Sequence, residues 1–494
     1  MITQTQINIL RSEKIAPQQL FIDGKTVTGN AEPMQVISPI DGSDLTTIAN
    51  ATEAEVGLAA ASARTAFNDG RWSNLPPSKR KKILFAIADG IEAEALSLSI
   101  LGVRDNGTEF NMAFKAEAGS AAGTFRYYAE ALDKMTGEIA PTASNTLGLV
   151  HHEPVGVVGA IIPWNFPLMI GAWKLAPALA TGNSVILKPA ETASLSLLRL
   201  AQIASAAGLP DGVFNVVTGD GRIAGDALAR SMDVDVLAFT GSGLTGRKLL
   251  EASAQSNLKR VYLELGGKSP NIVFADAPNL DEAAKVSVAA IFRNSGQVCV
   301  AGSRLLVERS IHDDFITALK IHAEAMRVGD PLDLQTQIGA VNSESQLKNN
   351  LAITAAAISE GADCITGGER ILGQTGGSYM APTILKNVLR TNTVFKTEVF
   401  GPVLAVTPFD TQEEAITLAN DSNLGLAAGV WTANLSRAHR MIRAVQAGVI
   451  HVNTYGGADN TVPLGGHKQS GNGSDKSLHA LSKYTNLKTA WIQL

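Results

Sequence analysis

From residue 155 to residue 265, short apolar runs alternate with helical stretches, and this rhythm leaves few folds open. Strands are expected at 155–162, 184–187, 213–217, 234–239 and 261–265, with helices at 194–207 and 244–254 among them. Strand–helix alternation at this spacing is the pattern of a parallel, doubly wound α/β sheet. Such sheets take ligands at the carboxyl ends of their strands. The polar residues that stand out lie there: Asn165, Lys188, Glu191, Gly219, Gly241 and Glu264. A second alternation covers about 270–460, with strands expected at 303–307, 403–408, 428–432 and 449–453. Before both, residues 21–50 read as short strands with turns at Asp23-Gly24 and Asp41-Gly42, and Thr52 with Glu55 reads as a capping box opening a helix. The last fifteen residues read as a tail ending in a strand.

A chain of 494 residues exceeds what one core fills, which points to two or three domains. Net charge is −5 without a basic run, so neither nucleic acid nor an anionic membrane is an expected partner. Residues 154–173 carry no charge and are long enough to span a bilayer, but Gly156, Gly159, Pro163, Asn165 and Pro167 interrupt them. They are expected to form a buried strand, a tight loop and a new helix. Two cysteines cannot build a disulfide framework, which suits a cytoplasmic protein.

One of those cysteines, Cys299, stands in Gly296-Gln297-Val298-Cys299-Val300-Ala301-Gly302, where small neighbours would let a substrate carbon reach the sulfur. Glu264 ends an apolar run as Leu263-Glu264-Leu265-Gly266-Gly267. A thiol and a carboxylate are a nucleophile and a base for covalent catalysis; the alternative is a cysteine that is simply a small core residue. Gly241-Ser242-Gly243-Leu244-Thr245-Gly246 follows a strand and opens a helix, the context in which G-x-G-x-x-G cradles a pyrophosphate. That motif wants an acid about 20 residues on for ribose, and Glu264 sits there. Lys188-Pro189-Ala190-Glu191 also offers a ribose carboxylate, with Gly219-Asp220-Gly221 leaving room for adenine. The glycine pattern does not choose between Glu191 and Glu264; it points to a dinucleotide. His151 and His152, adjacent on an expected strand, face opposite ways, and no metal site is expected. Cys364 has no comparable context and reads as structural.

Taken together, these residues resemble the NAD(P)-dependent aldehyde dehydrogenase superfamily over essentially the whole chain. The resemblance is carried by Pro163-Trp164-Asn165-Phe166-Pro167, Lys188-Pro189-Ala190-Glu191, Phe239-Thr240-Gly241-Ser242 with Gly246, Leu263-Glu264-Leu265-Gly266-Gly267-Lys268, Gly296-Gln297-Val298-Cys299 and Glu398-Val399-Phe400-Gly401-Pro402. It implies an α/β fold with a Rossmann-like cofactor domain (1–134 and 153–265), an α/β catalytic domain (266–465) and a strand-rich oligomerisation arm (135–152 and 480–494). It also implies a homodimer or homotetramer acting on a small-molecule aldehyde, with NAD as cofactor and NADP not excluded. Carried over by motif, Cys299 is the nucleophile, Glu264 the general base and Asn165 the oxyanion donor. Lys188, Glu191 and Gly221 would hold the adenosine end, Gly241, Ser242 and Gly246 the pyrophosphate, and Trp164, Leu265, Glu398 and Phe400 the nicotinamide end.

The chain departs from the family at Arg104-Asp105-Asn106-Gly107-Thr108-Glu109. It keeps Asp-x-Gly but lacks the usual upstream glutamate and the following Lys-Pro, a change expected to bear on helix packing and oligomer contacts and not on chemistry. Leu464 and Ala458 stand where relatives commonly place aromatic residues, so a less aromatic tunnel mouth is expected. Phe166, Met169, Trp173, Val298, Val300 and Leu464 would line that tunnel, with Asp459 as an acid near its entrance. The ending from Gln469 to Leu481 resembles the bacterial branch that oxidises ω-amino and γ-glutamylamino aldehydes. Rival readings are a non-enzymatic descendant of the fold, a CoA-acylating relative, which would not need Glu264, and a cysteine hydrolase, for which no histidine lies near Cys299 in sequence.

Overall fold

The computed structural model describes residues 2–457 and 459–494, so Ala458 lies outside the described residues. Its first sheet contains β1 (Leu20–Ile22), β2 (Lys25–Val27), β3 (Val157–Ile161), β4 (Ser184–Lys188), β5 (Phe214–Val216), β6 (Val236–Thr240) and β7 (Arg260–Glu264). The strand order is β7-β6-β3-β4-β5-β1-β2. Strands β3 to β7 pair in parallel, as the alternation requires, and the β1–β2 hairpin adds an antiparallel edge. Its turn is Asp23-Gly24, both in the left-handed region at φ 53° and 71°, which matches the twist of a tight hairpin. Every residue of β4 and β5 is buried, which is why these strands read as continuous apolar runs. Burying each Val, Leu or Ile there contributes about 1.5–3 kcal/mol.

The chain winds from β3 through β4 to β5, then returns to the other side of β3 for β6 and β7. Winding reverses between β3 and β6, and ligands enter such a sheet at that crevice. The expected first strand starts two residues late. Val155 N–H donates to the Tyr484 carbonyl, and Gly156 turns the chain at φ 127°. A loop follows β3, and helix α1 (Pro167–Ala180) begins beyond it, so the charge-free segment is the strand, loop and helix read from its prolines. Among the described residues no helix is long and apolar enough to cross a membrane.

The second sheet holds β8 (Pro270–Val273), β9 (Arg304–Glu308), β10 (Asp363–Thr366), β11 (Thr383–Lys386), β12 (Val403–Phe409), β13 (Ala427–Trp431) and β14 (Val449–Val452). Its order is β10-β11-β12-β9-β8-β13-β14, parallel throughout except at the β10–β11 edge. A separate antiparallel sheet joins Glu138–Ala140, Thr146–Pro154 and the C-terminal strand Thr485–Gln493, in register from Thr485 opposite Pro154 to Gln493 opposite Thr146. Leu487 and Trp491 on that last strand are exposed. Thr52 and Glu55 form the capping box of helix Glu53–Asn68.

Candidate active site

The crevice between β3 and β6 opens into a cavity of about 220 Å³. It is lined from β3 by Pro163, Trp164 and Asn165, from β6 by Thr240, Gly241 and Ser242, and from the end of β7 by Leu265 and Gly266. Cys299, Glu398 and Phe400 close it from the other sheet, so the two sheets share one site. Ile170 and Gln346, which the sequence did not single out, also line it.

The Cys299 loop is held by backbone conformation. Asn294, Ser295 and Gly296 are all left-handed, at φ 49°, 53° and 73°. Only glycine serves at 296, where a Cβ would lie 2.0 Å from the Gly401 carbonyl oxygen. That contact docks the Cys299 loop onto the Glu398–Phe400 loop. Phe400 is itself left-handed, at φ 55°, and meets Trp164 edge-on at 5.2 Å. A strained aromatic held by its surroundings is common at ligand clamps. A Cβ on Gly266 would lie 1.8 Å from Glu398 Oε2, and the Gly267 N–H donates to Glu398 Oε1 at 2.9 Å. Glycine at 266 therefore lets the carboxylate reach the cavity wall.

Asn165 Nδ2 donates to the Gln297 carbonyl at 2.8 Å. An amide nitrogen carries two hydrogens, so one remains for a substrate oxygen beside Cys299. The Cys299 thiol is pushed up to about 12, by burial first and then by the carboxylates of Glu398 and Glu264 that face it. Glu264 ends β7, is buried, and has one carboxylate oxygen with no hydrogen-bond partner among the described residues. Burial raises its pKa well above the ordinary carboxylate range; Asp475 adds to this, and Lys174 and Lys483 oppose it. Glu398, half-buried in the cavity wall, and Lys268, fully buried, are moved by desolvation to about 7 from opposite sides.

Lys174, Asp475 and Lys483 form a buried ion triad: Asp475 binds Lys174 through Oδ2 and Lys483 through Oδ1, the latter at 2.5 Å. The sequence reading missed this group, although a lysine inside the otherwise apolar α1 was a visible signal. Glu117 was missed as well. Phe166 provides no side-chain cap for α1, and buried Glu117 instead accepts the Met169 N–H at 2.7 Å. Burial pushes its carboxyl up to about 8.

Beyond the helix packing and oligomer contacts expected of it, the altered 104–109 motif also reaches the loops that carry Trp164 and Cys299. Asn106 Nδ2 donates to the Trp164 carbonyl at 3.3 Å, Thr108 Oγ1 donates to Asn294 Oδ1 at 2.8 Å, and Glu109 Oε1 accepts the Asn294 N–H at 3.0 Å. The motif sits behind the nucleophile loop because Gly107, left-handed at φ 82°, ends its helix there and turns the chain inward.

The remaining residues fall as follows. At the carboxyl end of β4, Lys188 Nζ lies 3.1 Å from Glu191 Oε1, which also accepts the Gly221 N–H at 2.7 Å. Ser242 caps helix α2 (Gly243–Ala254) by accepting the Thr245 N–H at 3.2 Å, and Gly246 is buried against Leu263 and Leu265. Phe166, Trp173 and Val298 are buried in one hydrophobic cluster, with Met169, Val300 and Leu464 packed against it. Asp459 is exposed and accepts the Thr461 N–H at 2.8 Å. Lys476 Nζ stands 5.7 Å from the centre of the Trp173 ring.

A dinucleotide fits this crevice on two observations: Thr240 Oγ1 is buried there with no hydrogen-bond partner among the described residues, and the first turn of α2 opens at the cavity wall beside it. A crevice that fits a dinucleotide, with the Cys299 thiol and the Glu398 carboxylate in its wall, marks a dinucleotide-dependent oxidoreductase. Residues 26–490 match the aldehyde dehydrogenase family, and the chain belongs to that family: it is an NAD(P)-dependent aldehyde dehydrogenase. The chain is 48% identical over 477 residues to the NADP/NAD-dependent aldehyde dehydrogenase PuuC of Escherichia coli strain K12, covering 96% of each chain. Among solved structures it is similar to an indole-3-acetaldehyde dehydrogenase complexed with NAD+ (TM-score 0.99, 47% identity, 100% of both chains). It is also similar to the gamma-glutamyl-gamma-aminobutyraldehyde dehydrogenase of Burkholderia cenocepacia J2315 (TM-score 0.98, 45% identity, 100% of both chains).

Proposed function

We propose that the enzyme uses NAD to oxidise an aliphatic or ω-amino aldehyde, such as γ-glutamylaminobutanal, to its carboxylic acid through Cys299 and Glu264. The observation that supports the mechanism is the half-buried Cys299 thiol in the cavity wall, close enough to the buried Glu264 for that carboxylate, itself of raised proton affinity, to push the thiol up. A protonated resting thiol must lose its proton to attack, and a carboxylate of raised pKa is matched to receive it near neutrality. Cys299 sulfur adds to the aldehyde carbon, and Asn165 Nδ2–H and the Cys299 backbone N–H hold the oxygen as charge develops on it. The bound dinucleotide supplies the acceptor for the two electrons and the hydrogen that leave the tetrahedral carbon. A thioester on Cys299 remains. Once Glu264 has passed the thiol's proton on to solvent, it takes a proton from water as the water oxygen bonds to the thioester carbon; the carbon–sulfur bond then breaks, the thiolate leaves and the acid is released.

Preference for NAD rests on Glu191, whose carboxylate at the end of β4 would repel a 2′-phosphate. The amino-aldehyde reading is supported by the likeness to the gamma-glutamyl-gamma-aminobutyraldehyde dehydrogenase of Burkholderia cenocepacia and by Asp459, the acid expected near the tunnel mouth. A broad or aromatic specificity is the second reading, favoured by Leu464 in place of a larger aromatic and by the indole-3-acetaldehyde neighbour. The exposed arm strand Thr485–Gln493 would join subunits of a cytoplasmic homodimer or homotetramer, beside a cofactor domain of 1–134 and 153–265 and a catalytic domain of 266–465.

NAD reduction measured with butanal, aminobutanal, γ-glutamylaminobutanal and benzaldehyde tests the substrate; a large preference for benzaldehyde sinks the amino-aldehyde reading. Full activity in Cys299→Ala overturns the mechanism. Glu264→Gln is expected to reduce about one equivalent of NAD in a burst and then stall.

A further inference from the structure

We propose that Thr108 and Glu109 are positioning residues for the nucleophile loop, clamping Asn294 so that the oxyanion donors stand correctly beside Cys299. The inference rests on the catalytic reading above and extends it to a segment outside both sheets. It starts from Asn294, a buried residue in the left-handed region. Left-handed backbone is open to asparagine but is held only where the surroundings impose it.

Two neighbours in sequence impose it here. Glu109 Oε1 accepts the Asn294 backbone N–H at 3.0 Å, and Thr108 Oγ1 donates to the Asn294 side-chain oxygen at 2.8 Å. The second contact fixes which way the Asn294 amide faces. Its Nδ2 then donates to the Asn165 carbonyl at 3.2 Å and to the Gln297 carbonyl at 3.4 Å. Gln297 is also the residue whose carbonyl receives the Asn165 amide at 2.8 Å. One hydroxyl and one carboxylate thus fix a turn that touches Asn165 and Gln297 directly and leads into Cys299 two residues beyond Gln297. Thr108, Glu109, Asn294, Asn165 and Gln297 are all buried, so water does not substitute for a lost partner at once.

A misplacement of about 1 Å at a reacting centre costs about a hundredfold in rate. Thr108→Val keeps the shape and removes the donor, whereas Thr108→Ser keeps the hydroxyl. Glu109→Leu removes the acceptor, whereas Glu109→Gln keeps an oxygen for the Asn294 N–H. In rapid-mixing measurements of the NADH burst, Thr108→Val and Glu109→Leu are expected to slow the burst at least tenfold. Thr108→Ser and Glu109→Gln should stay within threefold of the parent. A larger kinetic isotope effect with the 1-deuterated aldehyde should accompany the slowed burst, while KM for NAD changes less than twofold. Should the apolar variants fail to accumulate, Asn294→Gly, which tolerates the left-handed backbone but loses the amide, carries the same comparison. A burst within threefold of the parent in the variants lacking the contacts overturns the clamp, as does a loss that appears only in KM. Cys299→Ala is run alongside. If it is active, the catalytic reading itself fails; if it is inactive while the clamp variants keep their burst, only the clamp fails.

Discussion

Asp475→Asn is the perturbation whose consequences the structure fixes most tightly. Lys174, Asp475 and Lys483 are 1%, 2% and 4% exposed, so no solvent stands ready to replace the lost carboxylate. Burial disfavours the ionised aspartate, but the two lysines outweigh it and hold its carboxyl below the ordinary range. With asparagine in its place, two ammonium groups face one neutral amide. Removing one partner of a buried ion pair costs about 3–5 kcal/mol. An independent bound comes from proton release, since the site relieves itself by making one lysine neutral. Discharging a lysine of ordinary pKa 10.4 costs about 4.6 kcal/mol at pH 7 and about 1.9 kcal/mol at pH 9.

The sign follows from the same picture. The unfolded lysine is protonated and the folded one is not, so the unfolded state binds more protons and stability rises with pH up to the unfolded pKa. Asp475→Asn is therefore expected to lose about 3–5 kcal/mol at pH 7 and to regain about 1–3 kcal/mol of it at pH 9. Urea unfolding followed by tryptophan fluorescence at both pH values measures this. A deficit under about 1 kcal/mol at pH 7 refutes the reasoning, as does a deficit that does not shrink by pH 9. The variant also removes the carboxylate that, after burial, most raises Glu264. The acid limb of the deacylation profile should move to lower pH, and a move upward contradicts the placement of these charges.

Two further outcomes are expected. In the cofactor-free enzyme, alkylation of Cys299 by iodoacetamide should be slow at pH 7 and accelerate about tenfold per pH unit to pH 9, and faster still in Glu398→Gln, because the reacting species is the thiolate; a flat profile means the thiol is already ionised. Glu191→Gln should raise the NADP-to-NAD ratio of kcat/KM about tenfold by removing the charge opposed to a 2′-phosphate, and an unchanged ratio places the cofactor's ribose elsewhere.

Much of the fold was legible because its central strands are buried on both faces and read as unbroken apolar runs, and because the crevice must fall where winding reverses between β3 and β6. Pairing was harder to read. The C-terminal strand Thr485–Gln493 was expected as a strand, but its partner Thr146–Pro154 lies more than 300 residues earlier, and no local pattern links them. The same limit hid Lys174 with Asp475 and Lys483, since a buried ion group is assembled from elements that sequence order keeps apart. At 104–109 the pattern itself misled. Thr108 and Glu109 depart from the family's usual residues and look like tolerated helix-end variation. Gly107 ends that helix at the back of the nucleophile loop, so both side chains meet Asn294.

These pieces bear on why so much charge is buried around one sulfur. At rest the thiol lies far above neutrality, Glu264 is raised, and Glu398 and Lys268 sit near 7, so the cavity wall carries little settled charge. In such surroundings an oxyanion is costly unless donors already point at it, and donors that need not reorganise are worth most where water is excluded. In the proposed mechanism, catalysis then depends less on the acidity of Cys299 than on the fixed direction of two N–H bonds. The left-handed turn at Asn294–Gly296 would fix one of them and Asn165 would supply the other, and the side chains of Thr108 and Glu109 touch that turn. A change at either should therefore slow hydride transfer and spare cofactor binding.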